Sequence, residues 1–207
     1  MRFLNKCTLI ALSSILLLSA CGDPAIPMES KQYVTLPTQI VDKTLQPVTE
    51  VFSLTCSHCR NMENFIEQIS KQAGADIAKI HVAFNQPARA AATVYYAVEM
   101  QLNDKPGEAL MDELFAAIQM ANDTPAAQRE STLEKIFRSR DLISPAQFSP
   151  QQNQQLMEKV ALAARLSTQL GINSVPTFIV KGRYQVLVAG HDDPQQIADT
   201  IHYLLNK

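Results

Sequence analysis

Four cysteines in 207 residues are too few for a disulfide-stapled scaffold, in which close-set bridges stand in for a hydrophobic core. None is needed here. Hydrophobic residues make up 46% of the chain, enough for the core of one ordinary domain with room for an inserted subdomain. A surplus of positive charge is also missing. The formal charge of −2 with 18% charged residues leaves no basic stripe, so no nucleic-acid partner is expected. Internal repeats and long low-complexity tracts are lacking, which sets repeat architectures aside. The long apolar run near the start, Leu9 to Leu18, is too short to span a bilayer comfortably.

That run follows Arg2 and Lys6 and reads as a targeting segment, to be left out of the fold. Its end, Leu18-Ser19-Ala20-Cys21, looks like a bacterial lipobox, with Cys21 lipidated and residues 1–20 removed. An ordinary signal peptide with an incidental cysteine is the alternative. Cys7 would leave with the leader and Cys21 would carry lipid, so Cys56 and Cys59 remain. In an exported protein, one closely spaced pair serves redox chemistry or metal binding.

Gly22 to Gln32 reads as a tether, and Tyr33 to Leu36 as a first strand. Val48 to Leu54 is an apolar strand interrupted by Glu50, a conspicuous carboxylate. From Cys56 the spacing turns helical through Met62, Phe65, Ile66 and Ile69, with Gly74 as a stop, and Ile77 to Phe84 returns to strand character. Strand, helix, strand suggests a parallel crossover unit. Four helical stripes follow, punctuated at 103–107, 122–125 and 144–150, with Ser149-Pro150 as a helix start. Pro176 to Val180, a Lys181-Gly182 turn and Tyr184 to Ala189 form a hairpin signal, and Asp193-Pro194 opens a last helix. The class is α/β, a mixed sheet with helices on both faces.

Cys56-Ser57-His58-Cys59 sits at the end of a strand and the start of a helix. Unpaired N–H groups there favour thiolate over thiol at Cys56, and His58 on the same turn would add to this unless it is simply an exposed helix histidine. Stabilising the reduced form makes the disulfide a stronger oxidant. Zinc would need two more ligands, and His81, His191 and His202 lie singly in unlike segments. Arg60, rather than histidine, follows Cys59 and argues against c-type haem attachment. No metal and no cofactor are expected.

Three stretches together resemble the DsbA-type thiol:disulfide oxidoreductases, which have a thioredoxin fold with a helical insertion. They are Glu50-Val51-Phe52-Ser53 leading to the CxxC, Lys79-Ile80-His81-Val82, and Gly171-Ile172-Asn173-Ser174-Val175-Pro176-Thr177-Phe178. The resemblance covers about residues 30–207. It implies that Cys56 is the exposed nucleophile, that Cys59 resolves the mixed disulfide, and that Val175-Pro176 is a cis-proline loop offering Val175 backbone groups to an extended peptide. It also implies a buried Glu50–Lys79 pair serving proton exchange with Cys59, where ordinary strand-end charges are the alternative. The divisions it implies are residues 1–20 as leader, 21–32 as lipidated terminus and tether, 33–85 and 168–207 as the two parts of the thioredoxin fold, and 86–167 as the helical insertion.

The implied function is donation of the Cys56–Cys59 disulfide to unfolded, cysteine-containing exported proteins in the periplasm. A DsbB-type membrane protein would recharge it, and lipidated Cys21 would anchor it to the inner or outer membrane. A monomer is expected, because the segment before the first strand is too short for the dimerisation domain of the related isomerases. Ser57 stands where the best-known members have proline, which leaves oxidant strength open. A dithiol reductase or isomerase, and a metal-binding or client-holding lipoprotein, are the competing readings.

Overall fold

Val48–Phe52, the run that Glu50 interrupts, forms a strand (β2) buried along its whole length with a neighbour on each side. The computed structural model describes residues 26–207, so the leader, Cys21 and the start of the tether lie outside the described residues. β2 pairs in parallel with Ile77–His81 (β3) and antiparallel with Thr177–Val180 (β4). β4 continues antiparallel to Tyr184–Val186 (β5), and β5 to Tyr33–Thr35 (β1), giving the order β1-β5-β4-β2-β3. At the rim strand β3, the Ile77 carbonyl accepts a hydrogen bond from Lys105 Nζ at 2.7 Å.

Between β2 and β3 the chain forms two helices, Ser57–Glu63 (α1) and Ile66–Ala73 (α2), where periodicity alone suggests one. The break lies at Asn64-Phe65. The Phe65 N–H bonds back three residues to the Met62 carbonyl at 2.9 Å, a tightened turn. It rotates Phe65 out of the apolar stripe that its spacing assigns it to, and the ring is 39% exposed. Gly74 ends α2 in the left-handed region at φ 73°, a conformation that costs other residues more.

Four helices run consecutively between β3 and β4: Gln86–Leu102 (α3), Glu108–Ile118 (α4), Ala126–Arg138 (α5) and Pro150–Gln169 (α6). Pro194–Asn206 (α7) closes the chain. Their starts follow local chemistry. Asn85, Ser149 and Asp193 each cap a helix with a side-chain oxygen, and Ser149 forms a capping box with Gln152.

The sheet divides two apolar layers. On β4 the alternation is plain: Phe178 and Val180 pack with α2 and α7 through Ile69, Ala73, Ile197 and Ile201, while Ile179 faces the layer built on α3, α4 and α6. Full burial of such a side chain contributes about 1.5–3 kcal/mol. The hairpin turn between β4 and β5 lies under residues 36–40, with the Ile40 N–H donating to the Gly182 carbonyl at 2.8 Å. A Cβ at Gly182 would sit 2.0 Å from the Ile40 carbonyl oxygen, so this crossing admits only glycine. The strand expected over Tyr184 to Ala189 stops at Val186, and Val188–Gly190 forms a single 3₁₀ turn. β3 likewise stops at His81, short of Phe84.

Candidate active site

Where β2 runs out, Ser53 to Cys56 closes into a tight turn, with the Cys56 N–H donating to the Ser53 carbonyl at 3.0 Å. Cys56 then becomes the N-cap of α1. Its extended backbone (φ −98°, ψ 118°) points the sulfur back over the first turn, where Sγ accepts the Cys59 N–H at 3.3 Å. The same sulfur lies 3.5 Å from the Val175 carbonyl oxygen. Residues 119 apart in sequence therefore meet at one atom. The Val175-Pro176 peptide is cis, and both residues are half-buried.

The two thiols are free and unequal: Cys56 is partly exposed and Cys59 is buried. Burial pushes the Cys59 thiol far up, and the neighbouring Cys56 and the Glu50 charge act in the same direction against a backbone hydrogen bond at Ser53. Cys59 is thus held as a neutral thiol whenever the pair is reduced. His58 is exposed, and the hydrogen bond reaching the Cys56 sulfur comes from the Cys59 N–H rather than from its imidazole.

Glu50 and Lys79 stand opposite each other in the β2–β3 register. Lys79 Nζ lies 2.5 Å from Glu50 Oε2, with the two side chains 2% and 0% exposed. They are not strand-end charges. A second carboxylate, Glu63 on α1, reaches the same ammonium at 2.7 Å, and Nζ sits 5.0 Å from the centre of the Phe52 ring. One cation therefore serves two carboxylates, and Glu50 Oε1 is buried without a partner among the described residues. Burial raises the Glu50 carboxyl above its ordinary range, and Glu63 adds to this against the pull of Lys79. Burial works against the Lys79 charge, but the two carboxylates outweigh it and hold the ammonium. Glu50 is thus the carboxyl of this cluster whose hold on a proton is strengthened by its surroundings.

Sequence reasoning missed three contributors. Glu63 lies four residues after Cys59, one helical turn behind the buried thiol, and that spacing was the available signal. His81, placed from the sequence in the Lys79–Val82 stretch and weighed as a metal ligand but given no role of its own, is fully buried and brackets the loop. Its Nδ1 meets the Val82 carbonyl at 2.7 Å and its Nε2 accepts the Leu54 N–H at 2.8 Å. Those partners fix the proton on Nδ1. Burial lowers the imidazole to about 4, with the Val82 hydrogen bond opposing. Gln119, at the end of α4, donates from Nε2 to the Leu54 and Cys56 carbonyls, and no local signal marks it.

Beneath the turn, Phe52 makes edge contacts with His81, Tyr95 and Phe115 at 5.0, 5.0 and 6.2 Å between ring centres. Among the described residues no group of three or more His, Cys, Asp or Glu is placed to hold a metal. No described helix is long and apolar enough to cross a membrane.

The family model for thioredoxin matches residues 42–202. The thiol:disulfide interchange protein DsbA of Salmonella typhimurium is 27% identical over 190 residues, covering 86% of this chain and 88% of its own. DsbA of Bordetella parapertussis is 28% identical over 153 residues, covering 70% and 68%. Among solved structures, Pseudomonas aeruginosa DsbA superposes with a TM-score of 0.65 at 18% identity, over 87% of this chain and 93% of that one. Proteus mirabilis DsbA, solved with a non-covalently bound peptide, gives 0.63 at 21% identity over 88% and 100%. By the family model and by these relatives, the chain belongs to the thioredoxin family and is a thiol:disulfide oxidoreductase of the DsbA type.

Proposed function

We propose that the protein works as an oxidant in the periplasm, passing a Cys56–Cys59 disulfide to unfolded exported proteins. A substrate thiolate attacks the Cys56 sulfur, the Cys56–Cys59 bond breaks, and its electron pair leaves on Cys59. The substrate's second thiolate then attacks its own sulfur in the mixed disulfide, forming the substrate disulfide and releasing Cys56 as thiolate. Two electrons have passed to the enzyme, and the Cys59 sulfur takes up a proton. Glu50 supplies that proton through the Lys79 site, Val175 offers its backbone to the extended peptide beside Pro176, and His58 favours the released thiolate.

The observation that carries this reading is the inequality of the thiols. Cys56 is reachable and its sulfur receives a backbone N–H, while Cys59 is buried and held protonated. The backbone N–H on the Cys56 sulfur stabilises the reduced form, and a stabilised reduced form makes the disulfide a stronger oxidant. A peptide bound to the Proteus mirabilis relative supports a peptide substrate here. The reduced enzyme would be recharged by a DsbB-type membrane protein, with the chain held at a membrane as a monomer by lipid on Cys21.

Equilibration of the purified protein with glutathione redox buffers tests the direction of transfer. A reduction potential well above the glutathione couple is expected. A value near about −270 mV, that of thioredoxin, would make the protein a reductase and assign that change to Ser57.

A further inference from the structure

The loop that carries Cys56 is gripped from two sides. From the sheet, His81 Nε2 accepts the Leu54 N–H at 2.8 Å. From the helical insertion, Gln119 Nε2 donates to the Leu54 carbonyl at 2.9 Å and to the Cys56 carbonyl at 3.1 Å. One carboxamide therefore spans Thr55 and ties together the Leu54–Thr55 and Cys56–Ser57 peptide planes. Gln119 is itself anchored, because its own N–H closes α4 on the Phe115 carbonyl at 2.9 Å, and Phe115 is buried against Phe52. The Cys56 carbonyl also accepts the Arg60 N–H at 3.2 Å, the first bond of α1. Its direction sets the backbone angles that place Sγ over the Cys59 N–H.

We propose that Gln119 is a positioning residue for disulfide exchange, through which the seating of the helical insertion sets where the Cys56 sulfur lies relative to the Cys59 N–H and the Val175 carbonyl. This rests on the reading of Cys56 as the attacked sulfur. The Cys59 N–H bond is made to the reduced sulfur, so a well-seated loop favours the dithiol and raises oxidising strength. Without the two donors, the Leu54 carbonyl loses the hydrogen bond it accepts from the insertion. The loop shifts to satisfy it, and the sulfur moves with the loop.

The test compares wild type with Gln119→Met, which keeps the side-chain length and removes the donors, and with Gln119→Asn, which keeps the donors and cannot span both carbonyls. The full protein is equilibrated with glutathione, and thermal unfolding is followed for each redox form. Arg140→Ala is the control: it removes the 2.8 Å pair with Glu113 in the same insertion and touches nothing in the loop. Both Gln119 variants should lower the equilibrium constant for oxidising glutathione by roughly three- to tenfold, the effect of losing one hydrogen bond. Arg140→Ala should stay within about twofold even where it lowers the unfolding temperature. Should Gln119→Met fail to fold, Gln119→Asn alone decides. Gln119 variants with the wild-type constant, or an equal shift in Arg140→Ala, would overturn the proposal while normal wild-type exchange left the oxidoreductase function standing. Wild type unable to exchange with glutathione at all would overturn that function and this role together.

Discussion

Acidifying the protein sets a specific demand on His81. In the unfolded chain its imidazole titrates near 6.5, whereas in the fold burial lowers it to about 4. Nε2 cannot take a proton without turning a donor toward the Leu54 N–H, which is itself a donor. Between those two values the unfolded chain binds a proton that the folded one refuses. Stability from the neutral ring is therefore fully present above the unfolded pKa and is lost as pH falls toward the folded one. At about 1.4 kcal/mol for each pH unit between them, the loss reaches about 3 kcal/mol. The assay is urea unfolding of wild type and His81→Leu at several pH values from neutral to about 4. The variant leaves the Leu54 N–H unpaired, a cost that does not vary with pH, and the effects of other titrating groups cancel in the difference. The advantage of wild type over the variant should shrink by about 3 kcal/mol across the range. A difference that stays constant with pH would refute a neutral, loop-bracing His81.

Lys79→Met should cost about 3–5 kcal/mol by leaving two carboxylates without their cation, as read by urea unfolding near neutral pH. Because the folded Glu50 carboxyl is already raised, the penalty is greatest above its folded pKa and eases as pH falls through it; a deficit that grew on acidification would contradict the arrangement. In Cys59→Ser the Cys56 thiolate should attack a disulfide-bonded peptide dimer, release one peptide as thiol and accumulate as a mixed disulfide with the other, visible by mass spectrometry, and Cys56→Ser should form none. Phe52→Ala should destabilise by about 3–5 kcal/mol because the aromatic floor loses its centre. Asp112→Ala should cost under about 1 kcal/mol, since its contact with Arg60 is exposed to solvent.

Much of this architecture could be read along the chain because its signals are local. Caps at Asp193 and Ser149, the stop at Gly74 and the apolar alternation act within a few residues and survive into the fold. Glu50 stood out because a carboxylate inside an apolar strand needs a partner, and the register supplies Lys79. Glu63 was hidden because counting apolar residues on one continuous helix gives no reason to bury it. The break at Asn64-Phe65 is a hydrogen-bonding choice with no proline or glycine to announce it. Gln119 was beyond reach for a different reason: the residues it serves lie 63 and 65 positions away, and only packing of the insertion on α1 brings them together.

The ammonium of Lys105 on the Ile77 carbonyl bears on how the molecule keeps its own company. A sheet margin with free carbonyls invites a stray strand to dock, and a lysine there is a common safeguard against self-association. The opposite margin, β1, is only three residues long. In the role proposed here the protein spends its time among extended, half-made chains rich in free margins of their own. A rim guarded by charge at one end and brevity at the other lets it meet such chains at Cys56, without zippering onto them side by side.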